Sequence, residues 1–426
     1  MYDKIFGISL LLALIYTPLC TLHSEFYSAG RRAAEIKQET EMEQNILAIA
    51  NNKFGLSLFK EARKDMKGKN TFMSPLSISS VLAMTQIGAR NKTAQEMAQV
   101  LEWGPEKGDK IHQLFQTYFT TLQKPAEQYQ LSTVNRIFLE QTFAILDEFK
   151  SKTKTWYLAE PVQANFIENA DNEAKNINSW VAEQTQDKIK DLFAPGVLNS
   201  ASRMVLVNAI YFKGKWDKEF EKSSTLPKPF KLSPDQKIDV PTMNHKQVHG
   251  LYQDRDLNVT AVELLYKGHD LSMIIILPNE DYGLEELVNN LTPEKLDALL
   301  KGVTSKKREI QLFLPKFEVT SSFMLKKALT TLGMVDAFST EAADFTGMTE
   351  QPNLVLSEVV HKAFVQTNEE GTEAAAATGV VMAFACGMIP KPDPVVNVDH
   401  PFLFVIIDKR VDRSILFIGQ VDNPSA

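Results

Sequence analysis

The chain has 426 residues, is 44% hydrophobic and 23% charged, and carries a formal net charge of −7. That is a globular composition, long enough for one large domain or two to three small ones. Its mild acidity argues against nucleic acid or another polyanion as the main partner, and the basic clusters Arg63, Lys64, Lys67, Lys69 and Lys306-Lys307-Arg308 read as solvated faces.

Lys4 is followed by an apolar run from Ile5 to Tyr16 that ends near Pro18-Leu19-Cys20. This has the shape of a secretory signal peptide, residues 1–20, and is too short to span a bilayer. No later run is apolar enough to cross a membrane, so the mature protein is expected to be secreted, extracellular and soluble. Of the two cysteines, Cys20 would leave with the leader, and Cys386 would remain without an internal partner. Asn91-Lys92-Thr93, Asn258-Val259-Thr260 and Asn290-Leu291-Thr292 are glycosylation triplets, the last followed by Pro293. Residues 21–44 are polar without apolar period and read as a flexible extension.

From Asn45 to about Arg63 the apolar spacing predicts a helix, with a strand at Asn70–Met73 after it. Ser74 as cap and Pro75 at the first helical position open a second helix through Ala83. Helices are expected at Ala94–Leu101, Lys110–Leu122, Ile145–Thr155 and Asn172–Thr185, the last burying Ile177, Trp180 and Val181, and a strand at Leu131–Leu139. Met204–Phe212 is nearly all apolar, as in a strand covered on both faces. Strand patterns follow at Asp239–His249, Thr260–Tyr266, Leu271–Leu277, Arg308–Phe313, Phe317–Thr320, Leu354–Gln366, Pro401–Ile407 and Ser414–Val421. Two helices interrupt them, Leu284–Lys301 and Ser322–Leu332, the second ending at Gly333. Helices first, strands later and no βαβ alternation predict an α+β fold in one domain from residue 45 to 426.

Catalytic chemistry is not evident. There is no nucleophile elbow, phosphate-cradling loop, H-E-x-x-H or paired C-x-x-C. His245 and His249 could share a metal on a helix, but their context is a strand without acidic ligands, so no metal and no cofactor are expected. His361 and Asn208 each lie in apolar strands and need buried hydrogen-bond partners, each other among them.

The stretch Glu369-Glu370-Gly371-Thr372-Glu373-Ala374-Ala375-Ala376-Ala377-Thr378 combines helix-favouring alanines with a position between a strand and the Pro-rich segment Gly387–Pro394. It offers almost no side chain to anchor it to a core. Between two strands, nothing on it would clash. Alternation places Thr372, Ala374, Ala376 and Thr378 on one face, all small, with Glu373 on the other and Gly371 as a hinge.

Val396-Asn397-Val398-Asp399-His400-Pro401-Phe402-Leu403-Phe404-Val405-Ile406 resembles the C-terminal pattern of the serpins. Asn70–Ile78, Ile177–Val181, Asn208–Trp216 and Leu314–Phe317 resemble further serpin segments, in serpin order, nearest the ovalbumin-type branch and leukocyte elastase inhibitor. The leader and extension depart from that branch. The resemblance implies three β-sheets with eight or nine helices, a reactive-centre loop over about residues 369–399, and a shutter containing Ser74, Asn208 and His361. It also implies a monomer that binds neither nucleic acid nor membrane and whose partner is a serine protease, held as a covalent acyl complex when the loop inserts into the central sheet. The scissile residue, sixteen positions after Glu369, would be Ala385 with Cys386 following. A small Ala385 suits an elastase-like pocket; a register slip would make Phe384 or Cys386 the scissile residue instead. The alternative is a non-inhibitory serpin acting as carrier, chaperone or storage protein.

Overall fold

Apolar alternation in the second half of the chain resolves into two hydrogen-bonded sheets in a computed structural model that describes residues 45–104, 108–122, 129–371 and 393–426. Leu47–Ala426 forms one compact unit, to which everything below refers. In chain order the helices are α1 (45–62), α2 (Pro75–Gln86), α3 (Asn91–Val100), α4 (Gly108–Leu122), α5 (Asp147–Tyr157), α6 (Phe166–Gln184), α7 (Leu284–Asn290), α8 (Pro293–Ser305) and α9 (Lys326–Leu332). The strands are β1 (Thr71–Met73), β2 (Tyr129–Glu140), β3 (Val162–Ala164), β4 (Met204–Gly214), β5 (Leu226–Ser233), β6 (Gln236–Asp254), β7 (Val259–Leu265) and β8 (Leu271–Pro278). They continue with β9 (Lys307–Pro315), β10 (Phe317–Met324), β11 (Leu356–Thr367), β12 (Val395–Asn397), β13 (Phe402–Asp408) and β14 (Ser414–Val421). The fold is α+β, as expected. Among the described residues no helix is long and apolar enough to cross a membrane.

One sheet has five strands in the order β10-β11-β4-β2-β3, and the other has nine, β1-β14-β13-β8-β7-β6-β9-β12 with β5 on β6. Where the resemblance implies three sheets, the 19-residue strand β6 continues from one into the next, so two of them share one hydrogen-bonded ladder. β4 is covered on both faces. Met204, Leu206, Ile210 and Phe212 join the larger core, while Val205, Val207, Ala209 and Tyr211 join a second core that includes Ile177 and Val181 of α6. That division is the period of two expressed as two packing layers.

Several boundaries differ from the sequence reading. Leu284–Lys301 is two helices, because Pro293 pushes Thr292 out of the helical region (ψ 163°) and Thr292 Oγ1 then caps α8 by accepting from the Lys295 N–H. Ser322 to Met324 belong to β10, paired with β11, and the helix begins only at Lys326. Gly333 ends it with φ +115°, as predicted. Strands β3, β5 and β12 carried too little alternation to be read. β5 holds Pro227 and Pro229, which are tolerated because it pairs with β6 alone.

Candidate functional site

β4 and β11 are parallel neighbours in the middle of the five-stranded sheet, with Val207 opposite Val360 and Asn208 opposite His361. On the other side of β4, Asn135 of β2 lies opposite Asn208. Three polar side chains therefore stand in a row across three strands at the N-terminus of α2, Asn208 and His361 buried and Asn135 half-buried.

The local sequence of α2 dictates what they meet. Ser74 caps the helix, its Oγ accepting from the Ser77 N–H at 3.2 Å and donating to the Leu416 carbonyl at 2.7 Å. The Ser74 N–H is left for His361 Nε2, which accepts it at 3.1 Å. With Nε2 as acceptor, Nδ1 carries the hydrogen and donates to Asn208 Oδ1. The Asn208 amide then donates to Ser77 Oγ and Asn135 Oδ1, and the Asn135 amide to Ser80 Oγ at 2.8 Å. Ser74, Asn208 and His361 are all fully buried, so the expected shutter residues come together. Ser77, Ser80 and Asn135 complete the network and were not legible as site residues. A strand entering between β4 and β11 would move them from about 4.8 Å to nearly twice that distance and break the His361–Asn208 bond.

Burial pushes the His361 imidazole down to about 3. Since the folded value lies below that of free imidazole, near 6.5, the native state stays neutral while the unfolded chain takes up a proton. Stability is complete above pH 6.5 and is lost as pH falls toward 3, by up to about 1.4 kcal/mol per pH unit for this group. His112, stacked on Trp156 in the core, is likewise held at about 3 by burial. The urea midpoint is expected to be flat above pH 7 and to fall steadily from pH 6.5 to 4; a profile flat to pH 4 would contradict the neutral assignment.

The second fastening lies where β11 ends. Asn368 and Gly371 exchange backbone hydrogen bonds at 2.9 and 3.2 Å around a two-residue turn, Glu369-Glu370. Gly371 has φ +116°, and an added Cβ would stand 2.2 Å from the Gly214 carbonyl and 2.6 Å from the Trp216 nitrogen, so only glycine fits. Gly371 also bridges Lys215 in antiparallel fashion. The chain has thus already reversed direction at the end of the β4/β11 seam.

Contrary to the expectation of an unanchored stretch, this turn is firmly held. The Trp216 and Phe220 N–H groups donate to the Glu370 and Glu369 carbonyls at 3.0 and 2.8 Å, and Trp216 Nε1 donates to the Asn368 carbonyl at 3.0 Å. Glu369, 5% exposed, pairs with Lys316 at 3.0 Å and accepts from Thr225 Oγ1 at 2.8 Å. Burial pushes its carboxyl up, but its own backbone N–H, Lys316 and Thr225 outweigh this and hold it below the usual range. Glu370 pairs with Lys222. These partners lie far away in sequence, and no local signal marks them.

At its other end the loop is fastened by β12, whose Val395–Asn397 pairs in parallel with β9, and by the bond from the Lys231 N–H to the Asp399 carbonyl. Thr372, Glu373, Ala374, Ala375, Ala376, Ala377 and Thr378 of the hinge, and Phe384, Ala385 and Cys386 around the expected bond, lie outside the described residues.

A model of the serpin family, serine protease inhibitors, matches residues 49–424. The chain is a serpin. Among curated relatives it is 40% identical over 398 residues to Serpin B10 of Otolemur garnettii, covering 89% of this chain and 99% of that one. It is also 40% identical over 387 residues to leukocyte elastase inhibitor of Sus scrofa, covering 90% and 100%. Solved structures include uncleaved ovalbumin, with TM-score 0.79, 28% identity and coverage of 89% and 100%, and human thyroxine-binding globulin, with TM-score 0.81, 30% identity and coverage of 90% and 99%.

Two other clusters in this serpin have ligand-like composition. Asp281, Asp399 and His400 converge, but Lys231 Nζ already bridges the two carboxylates at 2.9 and 3.1 Å. His245 and His249 touch through their Nε2 atoms at 2.8 Å, the distance of a hydrogen bond between the rings. The glycosylation candidates Asn91, Asn258 and Asn290 are all exposed, although the Asn91 amide donates to Asp344 at 2.7 Å.

Proposed function

We propose that this serpin is a suicide inhibitor of serine proteases of elastase-like or chymotrypsin-like specificity, acting as a monomer and not as an enzyme. The observation that carries the reading is the turn at Asn368–Gly371 beside the parallel pair β4 and β11. A strand continuing from Gly371 between them would run antiparallel to both and make ladder bonds on both edges. The residues that would follow, Thr372, Ala374, Ala376 and Thr378, are small on the inward face. Cleavage after Ala385 or a neighbour leaves an acyl-enzyme, and insertion carries the attached protease away before water reaches the ester. Incubation with elastases and chymotrypsins is expected to give a covalent complex that survives SDS; free turnover by every protease that cuts the loop would refute the reading.

A second reading, a carrier, draws on the similarity to thyroxine-binding globulin, solved in complex with thyroxine. Loop-cleaved protein separates the two. Insertion adds a central strand to the five-stranded sheet and is expected to raise the melting temperature by tens of degrees, whereas a carrier whose loop does not insert should gain only a few.

We also propose that the protein is secreted and glycosylated, on the strength of the leader-like run Ile5–Tyr16 and the exposed acceptors Asn91, Asn258 and Asn290. Expression in mammalian cells should deliver it to the medium with a new N-terminus near residue 21 and a mass that falls on glycosidase treatment. Retention in the cytosol with Met1 intact would overturn this.

A further inference from the structure

A single residue, Phe220, stands between the His245–His249 pair and the hinge turn. Both histidines project from the same face of β6, and their rings meet at 2.8 Å between the Nε2 atoms. His249 Nδ1 lies 3.1 Å from the Glu263 carbonyl, so it carries a hydrogen and leaves Nε2 as an acceptor for His245. His245 in turn stacks on the Phe220 ring, with centroids 3.8 Å apart and planes at 12°. Phe220 is the residue whose N–H holds the Glu369 carbonyl. From imidazole to hinge there are two contacts.

The surroundings do not compensate a charge on the pair. On β7, the Glu263 carboxylate is paired with Lys409 at 2.7 Å. In the segment after β4, Asp217 pairs with His269 at 2.9 Å and Glu219 with Lys267 at 2.8 Å, while Lys218 is a cation. On β9, Arg308 lies opposite His249, Lys307 lies beside it, and Glu309 is engaged by Lys246 of β6. The Glu219 backbone favours protonation of His245, but burial and His249 outweigh it and bring that group down to about 3; burial lowers His249 as well. A proton on His249 Nε2 would set N–H against the Nε2–H of His245, whereas one on His245 Nδ1, a buried nitrogen without a hydrogen-bond partner among the described residues, would leave that contact in place and bury an uncompensated charge.

We propose that His245 and His249 form a proton-operated latch on the hinge, in which acid separates the rings, displaces Phe220 and frees Glu369 from its backbone anchor. The latch regulates the insertion device of the proposed inhibitory function and rests on that reading, but its test does not require inhibition. The anchored state excludes protons that the released state accepts, so release is favoured as pH falls below about 6.5. For one histidine the opening equilibrium grows by about tenfold per pH unit, or about twentyfold between pH 7 and pH 5.

Hydrogen exchange of the full chain, corrected for the intrinsic pH dependence, reads this directly. Protection of the peptide covering residues 216–221 is expected to drop by about twentyfold from pH 7 to pH 5 through local opening, while β4, whose protection follows global unfolding and falls with His361, serves as the reference in the natural protein and the variants alike. In His245→Phe, which keeps the stack on Phe220 without a proton site, and in His249→Phe, the drop should shrink to a fewfold. Unchanged protection of 216–221 in the natural protein overturns the latch even if neither variant folds. A full drop in a folded double variant overturns it as well. Loss of the covalent complex at all pH values with the exchange pattern intact would count against the inhibitory reading alone.

Discussion

Thr372→Arg is expected to turn the protein from a trap into a substrate. Chain continuity from Gly371, which already bridges Lys215 at the end of β4, makes residue 372 the first to pass between β4 and β11. In an inserted strand, alternation would place its side chain inward. A guanidinium there would have to leave water for a layer lined by Phe212, Ala363 and Val365, with no acid provided, at a cost of several kcal/mol. A barrier raised by about 4 kcal/mol slows insertion roughly a thousandfold, while attack on the bond beyond the hinge is untouched. Deacylation then wins. The loop should be cut at the natural rate, the SDS-stable complex should fall to a trace, and the moles of inhibitor consumed per mole of protease should rise at least tenfold. A complex yield equal to that of the natural protein would remove insertion from the mechanism. Ala376→Pro should behave alike, since a central strand cannot spare the N–H.

Asn208→Ala is expected to be among the most destabilising substitutions in the molecule. The Asn208 side chain is fully buried and engages His361 Nδ1, Ser77 Oγ and Asn135 Oδ1 together. Truncation leaves the His361 N–H unpaired in the core and removes one of the two donors to the half-buried Asn135 carbonyl, which keeps Ser77 Oγ at 3.3 Å, so a loss of about 2–3 kcal/mol follows. The same contact bolts β4 to β11. The variant should therefore also convert spontaneously to a loop-inserted or polymerised form faster than the natural protein at physiological temperature. Urea denaturation and native gels read the two effects. A loss under about 1 kcal/mol would mean that the row of polar groups is not cooperative.

Ser74 and Pro75 mark a helix start by their chemistry alone, and the structure bears this out. Asn208 and His361 stand out singly as polar residues in apolar strands. Their contact was open because 153 residues separate them, and adjacency of β4 and β11 is a long-range pairing. Ser77 and Asn135 were passed over because a serine in a helix and an asparagine on a half-buried strand look like ordinary surface. Glu369 and Glu370 read as loop charges for the same reason: Lys316, Thr225 and Lys222, which make their burial tolerable, come from elsewhere in the chain.

Short-range properties were determined by the sequence itself: the period of β4 and β11, the hinge freedom of Gly371, and the small alternate residues Thr372, Ala374, Ala376 and Thr378. Steric size, φ freedom and alternation depend only on a residue and its neighbours. Tertiary structure alone decided that β4 and β11 are adjacent and parallel, that the turn before Thr372 is already reversed and tied down, and that a histidine pair lies beneath it. Those facts depend on which distant strands find each other, and a strand pattern specifies its own face without naming its partner.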